Sequence, residues 1–167
     1  MHVFLTGVRQ CGKSTAISRA LKEINLPIYG FRTLFTNRTA DDKALYMLPA
    51  DYTGIPQKEQ IVTQFVNGRP QVLTERFDEI GTQLLQNAQA GGIILMDECS
   101  RFEKDALRFQ QSIMHRLDGD IPVLGVVRLG AEGWVENIRQ HPKVKLITVT
   151  TANREDIPAE IIKWLNT

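Results

Sequence analysis

The chain has 167 residues and a formal net charge of +1, so it is long enough for one domain with a core and has no general attraction for nucleic acid or anionic membranes. Hydrophobic residues make up 43% of the chain and charged residues 23%, as in ordinary soluble domains, and no apolar run approaches the ~20 residues that span a bilayer. We expect a single domain over 1–167, cytoplasmic and monomeric, with neither nucleic acid nor membrane as a partner.

The first residues combine a short apolar strand pattern, a glycine-rich turn and a helix pattern. His2–Thr6 predicts a buried strand, and residues 7–14 read GVRQCGKS, which fits the phosphate-binding motif G-x-x-x-x-G-K-[ST]. The first turn of a helix binds anions through its free N–H groups, and glycines let the loop curl around a phosphate. In this motif Lys13 contacts the β- and γ-phosphates, and the Ser14 hydroxyl binds Mg²⁺. The predicted nucleotide-binding residues are Gly7, Val8, Arg9, Gln10, Cys11, Gly12, Lys13, Ser14 and Thr15.

Strand and helix patterns alternate along the rest of the chain. After a helix over about 13–25, the predicted strands are 28–33, 44–49, 60–66, 93–96, 121–127 and 144–149. Further helices are predicted at about 75–89 with Thr74 as the N-cap, and at 104–117, 134–140 and 158–165. Residues 36–72, which begin with a polar turn at 36–42, are predicted to form a small antiparallel excursion. The pattern indicates an α/β fold, with a mostly parallel sheet covered by helices on both faces.

A second motif follows about 80 residues after the first. The apolar run 93–96 ends in Asp97 and Glu98, and the carboxyl ends of parallel strands meet at one edge of a sheet. We therefore expect these two acids to lie beside the phosphate loop, with Arg128 and residues 150–154 at the same edge. Asp97 is predicted to bind Mg²⁺ opposite Ser14, and Glu98 to orient or deprotonate the attacking water.

The charge that develops on the γ-phosphoryl oxygens needs a cation beside it. Lys13 is one catalytic candidate, and Arg101, Arg128 and Arg9 are the arginine candidates. An arginine at any of these positions is more often an exposed surface residue than a catalytic one. The sequence therefore does not decide which of the three stabilises the γ-phosphoryl charge.

The chain contains two cysteines, Cys11 in the phosphate loop and Cys99 just after the acidic pair. Because the cytoplasm is reducing, we expect two free thiols. An inhibitory disulfide at the active-site edge is the alternative.

These residues resemble the small P-loop nucleoside-triphosphatase family, also called the cancer-related nucleoside-triphosphatase family. The resemblance covers nearly the whole chain and includes the loop at 7–15, YGFRT at 29–33, ILMDE at 94–98 and VTTANR at 149–154. It implies a three-layer, RecA-like sheet and slow, Mg²⁺-dependent hydrolysis of ATP, GTP and other nucleoside triphosphates with loose base preference. It also implies that Asn153 and Arg154 lie near the base, the alternative being that Asn153 caps the last helix.

Two other functions fit the same motifs. A kinase of this fold would use Glu98 to deprotonate an acceptor hydroxyl, and its usual arginine-rich lid would have to come from scattered residues: Arg32, Arg38, Arg69 and Arg76. A nucleotide-gated binding module would use the same loop to control a partner.

Overall fold

The computed structural model describes residues 1–36 and 43–167. Within these ranges, eight strands form one sheet in the order β5-β4-β3-β2-β6-β7-β1-β8. The strands are β1 His2–Thr6, β2 Ile28–Phe35, β3 Ala44–Pro49, β4 Ile61–Val66, β5 Arg69–Val72, β6 Ile93–Cys99, β7 Val123–Val127 and β8 Val144–Thr148. The polar turn predicted for 36–42 lies almost entirely outside the described residues, as does Arg38.

Six α-helical segments cover the faces of the sheet in the described ranges. They are α1 Lys13–Ile24, α2 Thr74–Arg76, α3 Thr82–Gln86, α4 Leu107–Asp118, α5 Glu136–Arg139 and α6 Ile157–Leu165. A π turn at Phe77–Gly81 joins α2 to α3, and single 3-10 turns at Lys58–Gln60, Arg101–Glu103 and Gly133–Val135 precede β4, α4 and α5. None of the helices in the described part of the chain has the length and apolar character that crossing a membrane requires.

The parallel part of the sheet separates two apolar clusters. β1 pairs in parallel with β7 and β8, and β6 pairs in parallel with β2 and β7. Successive strand residues face opposite sides, so Val3 and Leu5 pack with Ile17 and Ile161 of α1 and α6, whereas Phe4 belongs to the cluster on the other face. The fold is therefore a three-layer P-loop architecture, as predicted.

The antiparallel excursion extends the same sheet at one edge. β3 pairs antiparallel with β2, β4 with β3, and β5 with β4. β2 is two residues longer than predicted because it continues to Phe35 along this added sheet. β5 was missed as a strand: it has only four residues and contains Pro70, which is tolerated at a sheet edge.

The helix predicted for 75–89 is real but contains the π turn. It begins at Thr74, so the prediction that Thr74 is its N-cap is wrong; Leu73 occupies that position. At the π turn the ring of Phe109 packs so closely on Gly81 that an added Cβ would lie 2.3 Å from Phe109 Cδ2. Asp78 Oδ1 accepts a hydrogen bond from the Phe109 N–H at 2.9 Å, which satisfies a free donor in the first turn of α4.

We predict that Gly81→Ala lowers the free energy of unfolding by about 1–3 kcal/mol, because the new methyl group overpacks the contact with Phe109. The measurement is urea denaturation followed by circular dichroism. Gly119→Ala is the matched control, since its Cβ would have no neighbour nearer than 3.4 Å. Equal stability of the two variants would contradict the tight contact.

Candidate functional site

A cleft of about 530 Å³ opens at the carboxyl edge of the parallel strands. It brings together residues that are far apart in sequence: the phosphate loop after β1, the acidic pair at the end of β6, and the segment after β7. The lining residues that the sequence had singled out are Gly7, Val8, Arg9, Lys13, Ser14, Asp97, Glu98, Arg101 and Arg128. Gln10, Gly12 and Thr15 line a neighbouring depression with Lys13 and Ser14, and Cys11 is buried beneath the loop.

The loop depends on two glycines with positive φ. Gly7 has φ +146°, and a Cβ there would lie 2.5 Å from the Val149 carbonyl oxygen, so only glycine fits where the loop leaves β1. Gly12 has φ +110° and occupies the N-cap of α1, where it offers no side chain to the first turn. The first N–H groups of a helix have no intrahelical partner, and the residues that carry them here line the depression.

Lys13 is folded back over its own loop. Its Nζ donates hydrogen bonds to the carbonyl oxygens of Gly7 and Val8, both at 2.8 Å. The ammonium group thus lies against the backbone of its own loop.

A β-bulge turns both acids of the second motif into the cleft. In the ladder between β6 and β7, Met96 pairs with Gly125 and Cys99 with Val127, so β6 has one extra residue between these pairs. Adjacent residues of a regular strand point to opposite faces, whereas the bulge lets Asp97 and Glu98 line the same cleft. Thr33 of β2 supports this arrangement, because its Oγ1 accepts a hydrogen bond from the Glu98 N–H at 3.2 Å.

The two carboxylates are destabilised in their ionised form. Burial raises the pKa of Asp97 to about 6, and the neighbouring Glu98 carboxylate adds to the shift, against the opposing effects of Arg32 and Lys13. Burial also raises the pKa of Glu98. A site with two half-buried acids side by side favours the arrival of a cation.

The arginine candidates differ in their relation to Glu98. Arg128 has the strongest opposing effect on the Glu98 pKa, followed by Lys13 and Arg9. Arg101 lines the same cleft, but its guanidinium group lies over the ring of Phe102, 5.8 Å from the centroid. Arg128 is therefore the arginine whose charge acts most on the catalytic candidate.

The loop after β8 lies against the phosphate loop. The side chain of Arg154 packs on Gly12, with its Cδ 3.2 Å from where a Cβ would stand, and lines a small pocket with Thr15. The amide of Asn153 is used within its own loop, since Oδ1 accepts from the Thr150 N–H and Nδ2 donates to the Thr148 carbonyl. The alternative that Asn153 caps α6 is wrong, because Asp156 holds the N-cap position.

A capping box next to the acidic pair was not anticipated. Ser100 Oγ accepts from the Phe102 N–H, and Glu103 Oε2 accepts from the Ser100 N–H at 2.9 Å. The S-x-x-E spacing at 100–103 is the sequence signal that would have revealed it. Ser100 also accepts a hydrogen bond from Trp134 Nε1 at its carbonyl oxygen, so this turn is held from two sides. It fixes the segment that carries Arg101 and Phe102.

The two thiols are free and well separated by the sheet. Cys11 packs in the cluster with Val3 and Leu5, whereas Cys99 packs in the cluster on the opposite face. The alternative of an inhibitory disulfide is therefore wrong for this fold.

Comparison with known proteins agrees with the site. A family model described as NTPase matches residues 2–162. The chain belongs to this NTPase family. The bovine protein named cancer-related nucleoside-triphosphatase homolog is 30% identical over 186 residues, which cover 96% of this chain and 94% of that protein. Nucleoside-triphosphatase THEP1 of Thermotoga maritima is 23% identical, over 99% of this chain and 95% of its own. The resemblance of the sequence motifs to the small P-loop nucleoside-triphosphatase family is thus confirmed.

Two solved structures share the fold of this NTPase. THEP1 from the hyperthermophile Aquifex aeolicus superimposes with a TM-score of 0.79 at 21% identity, over 100% of both chains. The solution structure of a human cancer-related nucleoside triphosphatase gives a TM-score of 0.72 at 24% identity, over 97% of this chain and 95% of that one. At these identities the likeness establishes the P-loop architecture.

The buried carboxyl group of Glu103 should make the stability of the fold depend on pH. Burial raises the pKa of its carboxyl group from 4.5 to about 8. Between these values the folded chain holds a proton that the unfolded chain has lost, so the stability from this group is present at low pH and is lost as pH rises toward 8. We expect the free energy of unfolding to fall by up to about 1.4 kcal/mol per pH unit from this one group.

The measurement compares urea denaturation of the native chain and Glu103→Gln between pH 5 and pH 8.5. Glutamine keeps an acceptor for the Ser100 N–H and cannot ionise, so the variant should show a flatter pH dependence. Parallel curves for the two proteins would contradict a buried, protonated Glu103.

Proposed function

We propose that this NTPase hydrolyses ATP, GTP and other nucleoside triphosphates to the diphosphate and phosphate, with Mg²⁺ and with loose base preference. The observation that carries the proposal is the single cleft in which the phosphate loop, Lys13, Asp97 and Glu98 meet. The match to the NTPase family model supports hydrolysis as the reaction class.

The donor set suits Mg²⁺. Ser14 offers a hydroxyl and Asp97 a carboxylate, which are hard oxygen ligands, and two protein ligands leave room for phosphate oxygens and water. Burial raises the pKa of Asp97 and the neighbouring Glu98 carboxylate adds to the shift, and a dication bound at this acidic pair would oppose both effects. We propose that Ser14 and Asp97 hold the ion, which would supply neutralisation of charge on the phosphate oxygens.

Glu98 is proposed as the residue that orients and deprotonates water. Burial raises its pKa, which makes it a better base than an exposed glutamate, while Arg128, Lys13 and Arg9 oppose that shift by favouring the ionised carboxylate. The water oxygen bonds to the γ-phosphorus as the bond to the β–γ bridging oxygen breaks, and the water proton passes to Glu98. Lys13 and Arg128 then stabilise the charge on the oxygens around phosphorus.

Base contacts are proposed for Arg154, whose side chain lies at Gly12 and Thr15 on the far side of the loop from Glu98. Because the Asn153 amide is already bonded within its loop, it acts on this contact by holding the position of Arg154.

The kinase alternative has less support in this structure. Arg32 donates to the Ala50 carbonyl oxygen, and Arg76 donates to the carbonyl oxygens of Lys58 and Ile61. Two of the four arginines considered for a lid are therefore engaged with backbone. For the nucleotide-gated module we find no specific observation in its favour.

We predict that Glu98→Gln lowers the rate of phosphate release from ATP or GTP by on the order of 10²-fold, since a positioned base is lost. Glutamine preserves the size of the side chain, so nucleotide affinity should be retained. Phosphate release without any acceptor is the assay, and Glu23→Gln, an exposed carboxylate on α1, is the control. Unchanged turnover in Glu98→Gln would remove this residue from the mechanism, and release that requires an added acceptor would favour the kinase.

Lys13→Ala should weaken binding itself. Among the described residues, Lys13 is the only one whose charged side chain donates hydrogen bonds to the carbonyl oxygens of the loop. Its loss should therefore reduce affinity for the non-hydrolysable analogue AMP-PNP by about tenfold or more. Isothermal titration calorimetry with Mg²⁺ gives the dissociation constant. Lys22→Ala, an exposed lysine of the same helix, should bind as the native chain does.

A further inference from the structure

The segment that follows β7 begins with Arg128 and forms a four-residue turn. The Ala131 N–H donates to the Arg128 carbonyl oxygen at 3.2 Å, and Gly130, the third residue of the turn, has φ +76°. A positive φ at this position is typical of a type II turn. The Arg128 N–H donates in addition to the carbonyl oxygen of Cys99 at 3.0 Å, one residue after Glu98. The turn therefore begins beside the acidic pair.

Side-chain packing does little to hold the tip of this turn. Leu129 is 52% exposed, and a Cβ added to Gly130 would have no other atom within 4 Å. Backbone with few apolar contacts opens easily unless hydrogen bonds hold it. The position of Arg128 thus depends on the hydrogen bonds that the backbone of the turn makes.

Arg139, the last residue of α5, makes two of these hydrogen bonds. Its Nη2 donates to the Arg128 carbonyl oxygen at 2.9 Å, and its Nη1 donates to the Ala131 carbonyl oxygen at 2.6 Å. One planar guanidinium group, whose donors have a fixed geometry, therefore joins both ends of the turn. Glu136, three residues earlier on the same helix, accepts a hydrogen bond from Nη1 and balances the charge.

The guanidinium group of Arg139 is placed for the turn and not for the cleft. The side chain is 16% exposed, and a guanidinium that loses this much water needs partners for its donors. Arg128 lines the cleft together with Glu98, whereas Arg139 is not among the described residues that line it. An effect of Arg139 on chemistry in the cleft must therefore pass through the turn.

The helix that carries Arg139 is itself attached to the end of β6. Trp134, in the 3-10 turn before α5, donates from Nε1 to the Ser100 carbonyl oxygen at 2.8 Å. Val135 and Ile138 are fully buried, so this short helix is anchored in the core. A side chain on such a support holds its partners more precisely than one on a free loop.

We propose that Arg139 is a positioning residue for phosphate release, which holds the turn after β7 so that Arg128 keeps its charge in the cleft beside Glu98. The inference rests on the proposed function, in which Arg128 stabilises charge on the oxygens around phosphorus. Arg139 lies outside the cleft and acts through Arg128. Misplacement of a reacting group by about 1 Å can cost on the order of 10²-fold in rate, and the two hydrogen bonds prevent such a displacement.

A double-mutant cycle of Arg128→Ala and Arg139→Ala tests this role, with phosphate release from ATP and affinity for AMP-PNP measured on each protein. We expect Arg139→Ala to lower kcat by about 10- to 100-fold, while the Kd for AMP-PNP changes by less than about twofold. Arg128→Ala should lower kcat at least as far. Adding Arg139→Ala to Arg128→Ala should cost less than about twofold more, because no Arg128 side chain remains to be positioned.

Two further variants control for folding and for the loss of an arginine as such. Arg116→Ala should keep the native kcat, since Arg116 Nη2 also donates to a backbone carbonyl oxygen, that of Gln86 at 3.3 Å, but outside the cleft. Arg139→Lys keeps the charge beside Glu136 and lacks the planar fork, so it should lower kcat by a smaller factor. Circular dichroism checks the fold of each protein, and Arg139→Lys replaces Arg139→Ala in the cycle if the latter does not fold.

Three results would overturn the role of Arg139. Losses in kcat that multiply in the double variant would mean that Arg139 acts independently of Arg128. AMP-PNP binding that weakens in step with kcat would mean that Arg139 supports the phosphate loop. Native kcat in both Arg139 variants would mean that the turn keeps its shape without this side chain. Absence of phosphate release from the native chain would instead refute the proposed function, and with it any role of Arg139 in that reaction.

Discussion

Two carboxylates at the end of β6 set the main constraint on this structure. A bulge places Asp97 and Glu98 on one side of the strand, and burial there raises the pKa of both. Such a pair is costly unless positive charge lies close by. Lys13 from the loop after β1, Arg128 from the end of β7 and Arg32 from β2 provide that charge. The parallel sheet, which brings these strand ends to one edge, is what makes the pair tolerable.

The same constraint explains the order of the strands. β6 lies between β2 and β7, so one neighbour supplies Thr33 to hold the Glu98 backbone and the other supplies Arg128. β1 lies on the far side of β7 and presents the phosphate loop to the same cleft. The antiparallel strands add length to the sheet beyond β2, and in doing so they bring Lys43 and Phe65 to the cleft.

The motifs with fixed spacing were readable from the sequence. Gly7–Ser14 and the Asp97-Glu98 pair are local patterns with a chemical reason, and the rule for parallel sheets was enough to bring them together. Features that depend on neighbours in space were not readable. The bulge at Asp97 depends on its register with β7, and the π turn depends on Phe109 packing against Gly81. The hydrogen bonds from Arg139 to the turn after β7 likewise join two segments that no spacing in the chain links.

The ammonium group of Lys13 donates hydrogen bonds to the carbonyl oxygens of Gly7 and Val8, so the loop is closed around a positive charge of its own. An arriving polyphosphate therefore exchanges acceptors on a lysine that is already in position, and the backbone has little ordering left to do. The Lys13 side chain therefore holds the shape of the loop, and phosphate oxygens would replace the loop carbonyl oxygens as its hydrogen-bond partners without refolding of the backbone.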